Sequence, residues 1–507
     1  MISKIQNSKV FKILFIVFQI LLMYRVVVYF ETAVERISDI PRDMLLGKGI
    51  LILYVIYFVN RIMIFKKVYT WIATVVTALA VIIPLRVMNI STATYGPDLF
   101  RMILFTCIIS ACFIVVLVEL FCSGSFIEVF KKNWPAIIIF IVLSAIAFPA
   151  YHITYLIVVL PALTLLLTDI KKEKWMEITD CFSAAYYLAF LHLFTRSLIE
   201  NPDRNYLGRF LGSFSQIETG GMFCGGAIVC VLYLWFRYRN KFKKKWPVTV
   251  AAVLLCIYPM YSMILFSSRS TIIALFGLAF FAFIFMHGKG KKAILLRSLI
   301  VLGTVVVLTC AVVGFSFYLG HKYAGVDPDD VPYVLNRFMA ITAKEYSEGT
   351  FGANSILNNI DMALSGRLSG WVNSLKQVRL LGHPFEETPI ILELTITTAH
   401  NFFIMWLINY GLIGGIVYII WFIAEFVLFT DAAVKKKEYI LFAVIWIYYC
   451  LGNFIFTCVT WRYVVGFIML LAQYPLIWVI NDIRKSSKKD DKKEIEEKSG
   501  NSRTDSL

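Results

Sequence analysis

Several signatures that would assign this chain to a large enzyme class are missing. It contains no Walker sequence, no HExxH and no GxSxG. Those signatures indicate a phosphate-binding loop, a zinc-dependent hydrolase and a serine hydrolase. Nor does any stretch look like a separate nucleotide-binding domain. We therefore expect the energy for any reaction to come from the substrate itself.

Cysteine is missing from the one long polar segment, near residues 319–399, although the chain has ten cysteines. All ten fall in or beside apolar runs. A disulfide framework or a cysteine-based zinc site needs thiols grouped in polar, accessible chain. We therefore predict that the cysteines are buried free thiols, and we predict no metal site and no cofactor.

Charge is scarce, and apolar sequence takes its place. Only 16% of residues are charged, whereas 59% are hydrophobic, and the mean hydropathy is +0.75. Soluble domains are roughly 45–50% apolar. Continuous apolar runs of about 20 residues recur and match the length of a helix that crosses a bilayer. Because these runs lack the alternation of barrel strands, the sequence predicts an all-α, polytopic integral membrane protein.

We predict about 14 transmembrane helices within one domain, residues 1–482. The first is interpreted as a membrane helix or signal anchor rather than a cleaved signal peptide. The charged tail, 483–507, is predicted to be disordered. The predicted spans are 11–29, 49–65, 68–86, 101–122, 134–150, 152–169, 180–198, 220–236, 247–266, 271–287, 294–318, 400–429, 439–459 and 463–480.

Lysine runs test this topology because short cytoplasmic loops are enriched in Lys and Arg. Alternate loops carry the lysines, so both termini are predicted to be cytoplasmic. The net charge of +16 then reflects inner loops that face anionic lipid, and nucleic-acid binding is not favoured. The runs are Lys66-Lys67, Lys131-Lys132, Lys171-Lys172, Lys243-Lys244-Lys245, Lys291-Lys292 and Lys435-Lys436-Lys437.

The polar segment 319–399 connects predicted spans 11 and 12 and is predicted to lie on the outer face as a helical loop. A connection of about 80 residues is unusually long. Within it, 366–379 has the spacing of an amphipathic helix that could lie at the membrane surface. We predict that this loop caps a cavity.

Arginine dominates the basic residues on the predicted outer face. Its planar guanidinium matches phosphate oxygens in a bidentate manner, whereas the alternative is that arginines simply reach the lipid head groups. His192 and Arg196 share one helical face and are predicted to point toward the same outer vestibule. The arginines on or near this face are Arg196, Arg204, Arg209, Arg269, Arg337, Arg367, Arg379 and Arg462.

In order and spacing, a set of short motifs resembles the bacterial O-antigen polymerase and O-antigen ligase superfamily over roughly residues 200–430. Each motif is weak alone, but the ordered set is more specific. The motifs are Arg209–Phe214, Ser268-Arg269-Ser270, Gly366-Arg367 with Trp371, Leu381-Gly382-His383-Pro384, Ala399-His400-Asn401-Phe402-Phe403 and Tyr410-Gly411-Leu412-Ile413-Gly414.

The resemblance implies a glycosyltransferase that polymerises undecaprenyl-diphosphate-linked repeat units into capsular, O-antigen or exopolysaccharide on the outer face of the bacterial plasma membrane. Arg269 and Arg367 would stabilise charge on the leaving diphosphate. His400 would act either as the base toward the acceptor hydroxyl or as a hydrogen-bond donor to the diphosphate. The other candidate substrate-binding residues are Arg209, Arg204, Trp371, Asn401, Arg196 and Arg462.

Other functions stay open at this point. Transfer of finished polymer to another acceptor, as in a ligase, would use the same residues. A flippase for lipid-linked oligosaccharides would also suit about 14 helices, but no internal repeat of the kind common in transporters is visible. Candidate partners are the lipid-linked oligosaccharides, membrane lipids, a chain-length regulator and a flippase.

Overall fold

A computed structural model describes twelve α-helices with their connecting turns, plus isolated positions elsewhere. The continuous described ranges are 9–35, 99–151, 171–200, 217–266, 269–286, 294–304, 367–382, 401–435 and 476–482. The spans predicted at 49–65, 68–86, 152–169 and 439–459 lie almost entirely outside these ranges, as does the tail.

All of the described regular structure is helical, and no strand occurs within it. This confirms the all-α prediction for that part of the chain. The helices are α1 Lys9–Glu35, α2 Leu99–Cys122, α3 Phe126–Tyr151, α4 Lys172–Glu200, α5 Ile217–Tyr238, α6 Lys245–Phe266, α7 Arg269–Met286, α8 Ile294–Thr304, α9 Arg367–Leu375, α10 Phe402–Asn409, α11 Gly411–Lys435 and α12 476–482.

Four of these helices are long and apolar enough to cross a membrane. The qualifying stretches belong to α3, α5, α6 and α11, and each overlaps a predicted span. These helices are consistent with a membrane location, while the count of about 14 spans stays a prediction. The stretches are Phe126–Ile146, Gly220–Lys241, Lys245–Phe266 and Gly411–Ala433.

A compact reversal joins α2 to α3 and moves the start of α3 ahead of its predicted position. Gly124 has φ 69°, and the N–H of Ser125 donates to the carbonyl of Leu120 at 3.2 Å. Glycine reaches this backbone region without steric cost and commonly ends helices in this way. The helix therefore restarts at Phe126, whereas the apolar run alone had placed its start at about 134.

The central bundle packs α4 against α1, α5 and α6. Along α1 and α4 the paired residue numbers rise together, so the two helices run in the same direction. Gln19 donates to Glu177 at 3.2 Å, and Tyr24 hydrogen-bonds His192 at 2.5 Å. Parallel neighbours agree with the predicted alternation, in which these helices are spans 1 and 7.

Between α4 and α5 the pairing is antiparallel. Tyr238 donates to the Asp180 carboxylate at 2.7 Å near one end, and Tyr186 meets Phe223 with ring centroids 4.8 Å apart farther along. The hydroxyl of Tyr186 also donates to the Phe223 carbonyl at 3.1 Å. Bulky buried rings therefore form the core between these helices.

Glycines in α5 allow this close approach. A Cβ added at Gly226 would lie 2.9 Å from Cζ of Tyr186 and still closer to its hydroxyl, and one added at Gly225 would collide with Thr271 and Tyr448. Small residues at helix contacts are the usual means of close packing in membranes. Close packing therefore explains why glycine occupies these two positions.

The sequence predicted one continuous helix at 400–429, and this prediction was wrong. It is divided at Tyr410 into α10 and α11. Gly411 adopts φ 75°, a conformation outside a right-handed helix. The helix predicted at 366–379 is also shorter, because it ends at Leu375 and continues as a turn.

Candidate functional site

The first candidate site is the region where α9 packs against the start of the α10–α11 pair. We call it the loop–helix junction and define it as residues 367–382 with 401–413. Trp371 and Val378 pack against the buried side chains of Ile404 and Ile408. Two of the apolar residues predicted on one face of 366–379 are therefore in contact with protein.

That apolar face is only partly buried. Leu375 remains 45% exposed, whereas Ser374, which was not predicted to face inward, is buried. The prediction that this helix lies against the membrane surface is thus incomplete, because one side of α9 contacts α10. Local spacing can identify an apolar stripe, but it does not specify which neighbour covers it.

Backbone hydrogen bonds join the end of the loop segment to the start of α11. The N–H of Leu412 donates to the carbonyl of Arg379 at 2.8 Å, and the N–H of Ile413 donates to Leu380 at 3.3 Å. The first N–H groups of a helix have no partner within it. Residues 379 and 380 supply those partners, so the loop segment caps α11.

Two glycines with positive φ meet at the same place. Gly382 has φ 85° and Gly411 has φ 75°. A Cβ at Gly382 would lie 2.6 Å from the Asn409 carbonyl oxygen, and one at Gly411 would lie 2.6 Å from the Leu380 carbonyl oxygen. Both conformation and space therefore require glycine here.

Asn401 begins α10 as its N-cap. Its side-chain oxygen accepts hydrogen bonds from the N–H groups of Phe403 at 2.9 Å and Ile404 at 3.4 Å. Asn is among the preferred residues at this position because its short side chain reaches these N–H groups. The sequence suggested a substrate contact for Asn401, whereas the observed contacts of its oxygen are structural.

An aromatic cluster holds α10 against α11 immediately behind the break. The rings of Tyr410 and Tyr418 stack with centroids 4.5 Å apart, and Trp406 lies 5.4 Å from Tyr418. Asn409 sits within this region, buried, with neither polar side-chain atom hydrogen-bonded to any described residue. An amide in this state could bind a water or a ligand hydroxyl.

A second candidate site is a groove between α1 and α4, here called the α1–α4 groove. It has a volume of about 790 Å³. Apolar side chains form most of its wall, and four polar side chains form the rest. The lining residues are Leu21, Tyr24, Leu188, Leu191, His192, Thr195, Arg196 and Ile199.

The polar side of this groove is organised by contacts between helices. His192 Nδ1 and the Tyr24 hydroxyl are 2.5 Å apart, and Thr195 meets the Tyr258 hydroxyl at 3.0 Å. Arg196 is exposed and lines the same groove. The prediction that His192 and Arg196 share one face of the helix is confirmed.

Only some of the remaining predicted site residues have side chains that the structure describes. Arg269 and Arg367 are the first residues of α7 and α9, and their side chains lie outside the described part. His400, Arg204, Arg209 and Arg462 also lie outside the described residues. Trp371 and Asn401 both belong to the loop–helix junction, whereas Arg196 belongs to the groove.

The sequence did not point to several residues that form the two candidate sites. Tyr24 was not singled out, although it follows an apolar run and precedes Arg25, and the pairing of Gly382 with Gly411 was not foreseen. Each glycine stood in a motif, but nothing in the sequence connects them. Among the described residues, no group of three His, Cys, Asp or Glu side chains could hold a metal ion.

Comparison with known proteins gives no assignment. No protein-family model, no curated protein and no solved structure matches this chain.

Proposed function

We propose that this chain is a membrane glycosyltransferase that polymerises undecaprenyl-diphosphate-linked oligosaccharide repeat units on the outer face of the bacterial plasma membrane. The proposal rests on the ordered motifs that resemble the O-antigen polymerase and ligase superfamily. It is supported by the position of residues from four of those motifs in one folded unit.

The loop–helix junction is the observation that carries this proposal. Trp371, Gly382 and Asn401–Gly411 come from separate motifs, yet they share contacts in the described structure. The loop segment both caps α11 and packs an indole against α10, so it is fixed to this helix pair. A built junction is what a site assembled from a loop and a membrane helix needs.

The proposed reaction transfers a glycan between two lipid-linked substrates. An acceptor hydroxyl attacks the anomeric carbon of the donor, and the bond from that carbon to the diphosphate oxygen breaks. Undecaprenyl diphosphate leaves with the bonding electrons, and the acceptor proton passes to His400 or to water. Because the diphosphate is a good leaving group, neither a nucleotide nor a cofactor is required.

Positive charge would accelerate this step because negative charge accumulates on the leaving diphosphate. Arg269 and Arg367 are assigned that role, with Arg204 and Arg209 as helpers. If His400 does not take the proton, it would instead donate a hydrogen bond to the diphosphate.

The α1–α4 groove suits the lipid side of such a substrate. Leu21, Leu188 and Leu191 offer apolar wall for a hydrocarbon chain, and Arg196 with His192 supplies polar groups at the same groove. A lipid that carries a phosphate presents the same two chemistries. We assign this groove to one of the two lipid-linked substrates.

The proposal is tested with purified protein in lipid, supplied with undecaprenyl-diphosphate repeat units. The expected result is a ladder of lengthened lipid-linked glycans. Transport of intact units across vesicles without any ladder would support a flippase. Transfer of polymer to a different acceptor, with no lengthening, would support a ligase.

Variants identify which residues carry the reaction. Arg367→Ala and His400→Ala are expected to abolish the ladder while preserving the melting temperature. Arg379→Ala is the matched control on the same loop segment. Wild-type ladders from both of the first two variants would remove the site assignment, and inhibition by EDTA that a divalent ion reverses would contradict the expectation of a metal-free reaction.

A further inference from the structure

A short, strongly basic turn joins α5 to α6 at the end of the bundle opposite the α1–α4 groove. Six cations fall between 237 and 245, and no acidic residue occurs from 234 to 250. One cation is neutralised, because Arg237 contacts the Asp180 carboxylate at 3.4 Å. Five positive charges remain, on Arg239, Lys241, Lys243, Lys244 and Lys245.

The structure holds this turn in a defined shape. Residues Arg239–Lys241 form one turn of 3-10 helix, and Trp235 donates to the Thr249 hydroxyl across the hairpin at 3.0 Å. The Arg239 guanidinium lies 4.5 Å from the Trp235 ring centroid. The Lys241 ammonium lies 4.4 Å from the Tyr238 ring.

Two exposed aromatic side chains flank the lysine run. Phe242 is 54% exposed and Trp246 is 67% exposed, although large aromatic rings are usually buried in folded protein. In membrane proteins tryptophan is enriched at the level of the lipid head groups. A position of Trp246 at that level would bring the exposed Lys243, Lys244 and Lys245 to the head groups as well.

We infer that the α5–α6 turn, residues 239–246, is a binding site for the head groups of anionic phospholipids in the leaflet where the turn lies. Each lysine near an anionic membrane surface contributes about 1 kcal/mol of attraction. A cluster of five cations on a fixed turn would bind phosphate more strongly than scattered charges do. This inference is independent of the proposed transferase activity.

The test measures the melting temperature of the detergent-purified protein with added phosphatidylglycerol, compared with equal phosphatidylethanolamine. The triple variant Lys243→Gln, Lys244→Gln, Lys245→Gln is compared with a matched control, Lys435→Gln, Lys436→Gln, Lys437→Gln, which removes the same charge from another lysine run. We expect phosphatidylglycerol to stabilise the wild type, the turn variant to lose at least half of that shift, and the control to lose less, because the acidic Glu438 follows its lysine run.

Several results would overturn the inference. Equal shifts in all three proteins would show that the turn does not bind the lipid, and an equal shift from soluble polyphosphate would show a general anion patch. If the triple variant does not fold, the three single Lys→Gln variants replace it, and the absence of any graded loss would count against the site. Native mass spectrometry should report fewer retained phosphatidylglycerol molecules on the variant.

Discussion

Gly411 is the residue at which conformation and packing are most tightly constrained. It has positive φ, and a side chain there would meet the backbone at Leu380 and Gly382. Two other glycines allow the effect of positive φ to be distinguished from the effect of close packing. Gly124 has φ 69° in open space, and Gly303 has open space without positive φ.

The glycine comparison yields the first prediction. Gly411→Ala should lower stability most, by more than the roughly 1–3 kcal/mol typical of a strained left-handed residue. Gly124→Ala should cost about 1 kcal/mol, and Gly303→Ala in a helix should be neutral or stabilising by up to about 1 kcal/mol. Thermal unfolding in detergent measures all three, and equal melting temperatures would show that the junction glycine is not constrained.

Asn401 supports a second prediction because its structural and binding roles can be separated. Asn401→Ala removes the cap and should cost about 1 kcal/mol, whereas Asn401→Asp keeps a capping oxygen. Hydrogen exchange at the first turn of α10 should therefore rise in the alanine variant only. If the aspartate variant keeps the cap but loses glycan lengthening, Asn401 also contacts substrate, as the sequence suggested.

At the scale of elements, α9 is a short helix that depends on its neighbour. Nine residues are too few for a helix to be stable alone in water. The contacts of Trp371 and Val378 with α10, together with the hydrogen bonds from Leu412 and Ile413 to the segment after α9, supply the missing stability. The segment 367–382 is therefore expected to detach from α10 and α11 as a unit when its packing is weakened.

The third prediction tests this dependence. Trp371→Ala should weaken the docking of α9 by about 2–3 kcal/mol, less than the roughly 3–5 kcal/mol for a fully buried ring, since Trp371 is only half-buried. Trypsin should then cleave faster after the exposed Lys376 and Arg379. Leu375→Ala is the control, and equal cleavage rates in both variants would argue against docking through Trp371.

At the scale of the whole molecule, the bundle around α4 depends more on close packing between helices than on polar interactions between side chains. Tyr186 lies against Gly226, and the Tyr448 hydroxyl donates to the Met222 carbonyl at 3.1 Å while its ring lies beside Gly225. These contacts join segments that are far apart in the sequence. Filling the space at a glycine should therefore disturb several helices at once.

The fourth prediction follows from that packing. Gly226→Leu should lower the melting temperature and the yield of folded protein, because overpacking of a tight contact costs about 1–3 kcal/mol or more. Gly303→Leu adds the same side chain where no neighbour lies within 4 Å and should have little effect. A similar loss in both variants would mean that leucine itself, rather than the Tyr186 contact, is responsible.

Part of the candidate site could be predicted from local sequence. The face shared by His192 and Arg196 follows from a four-residue spacing along one helix, and the apolar face of α9 follows from periodicity. The cap at Asn401 is also local, because its oxygen accepts from Phe403 and Ile404. The break at Tyr410 could not be predicted in the same way, because residues 379–382 contact the chain there.

The sequence by itself determined the all-helical class of the described fold and the presence of helices apolar enough to cross a membrane. Hydropathy is a local property of the sequence, so apolar runs alone indicate membrane helices. The lysine pattern predicts which of the loops between them are cytoplasmic. Only the tertiary structure decided that α1 lies parallel beside α4, that Gly382 meets Gly411, and that loop and helix form one junction. Those contacts join distant segments, and their energies depend on shape and backbone geometry that no local window of residues contains.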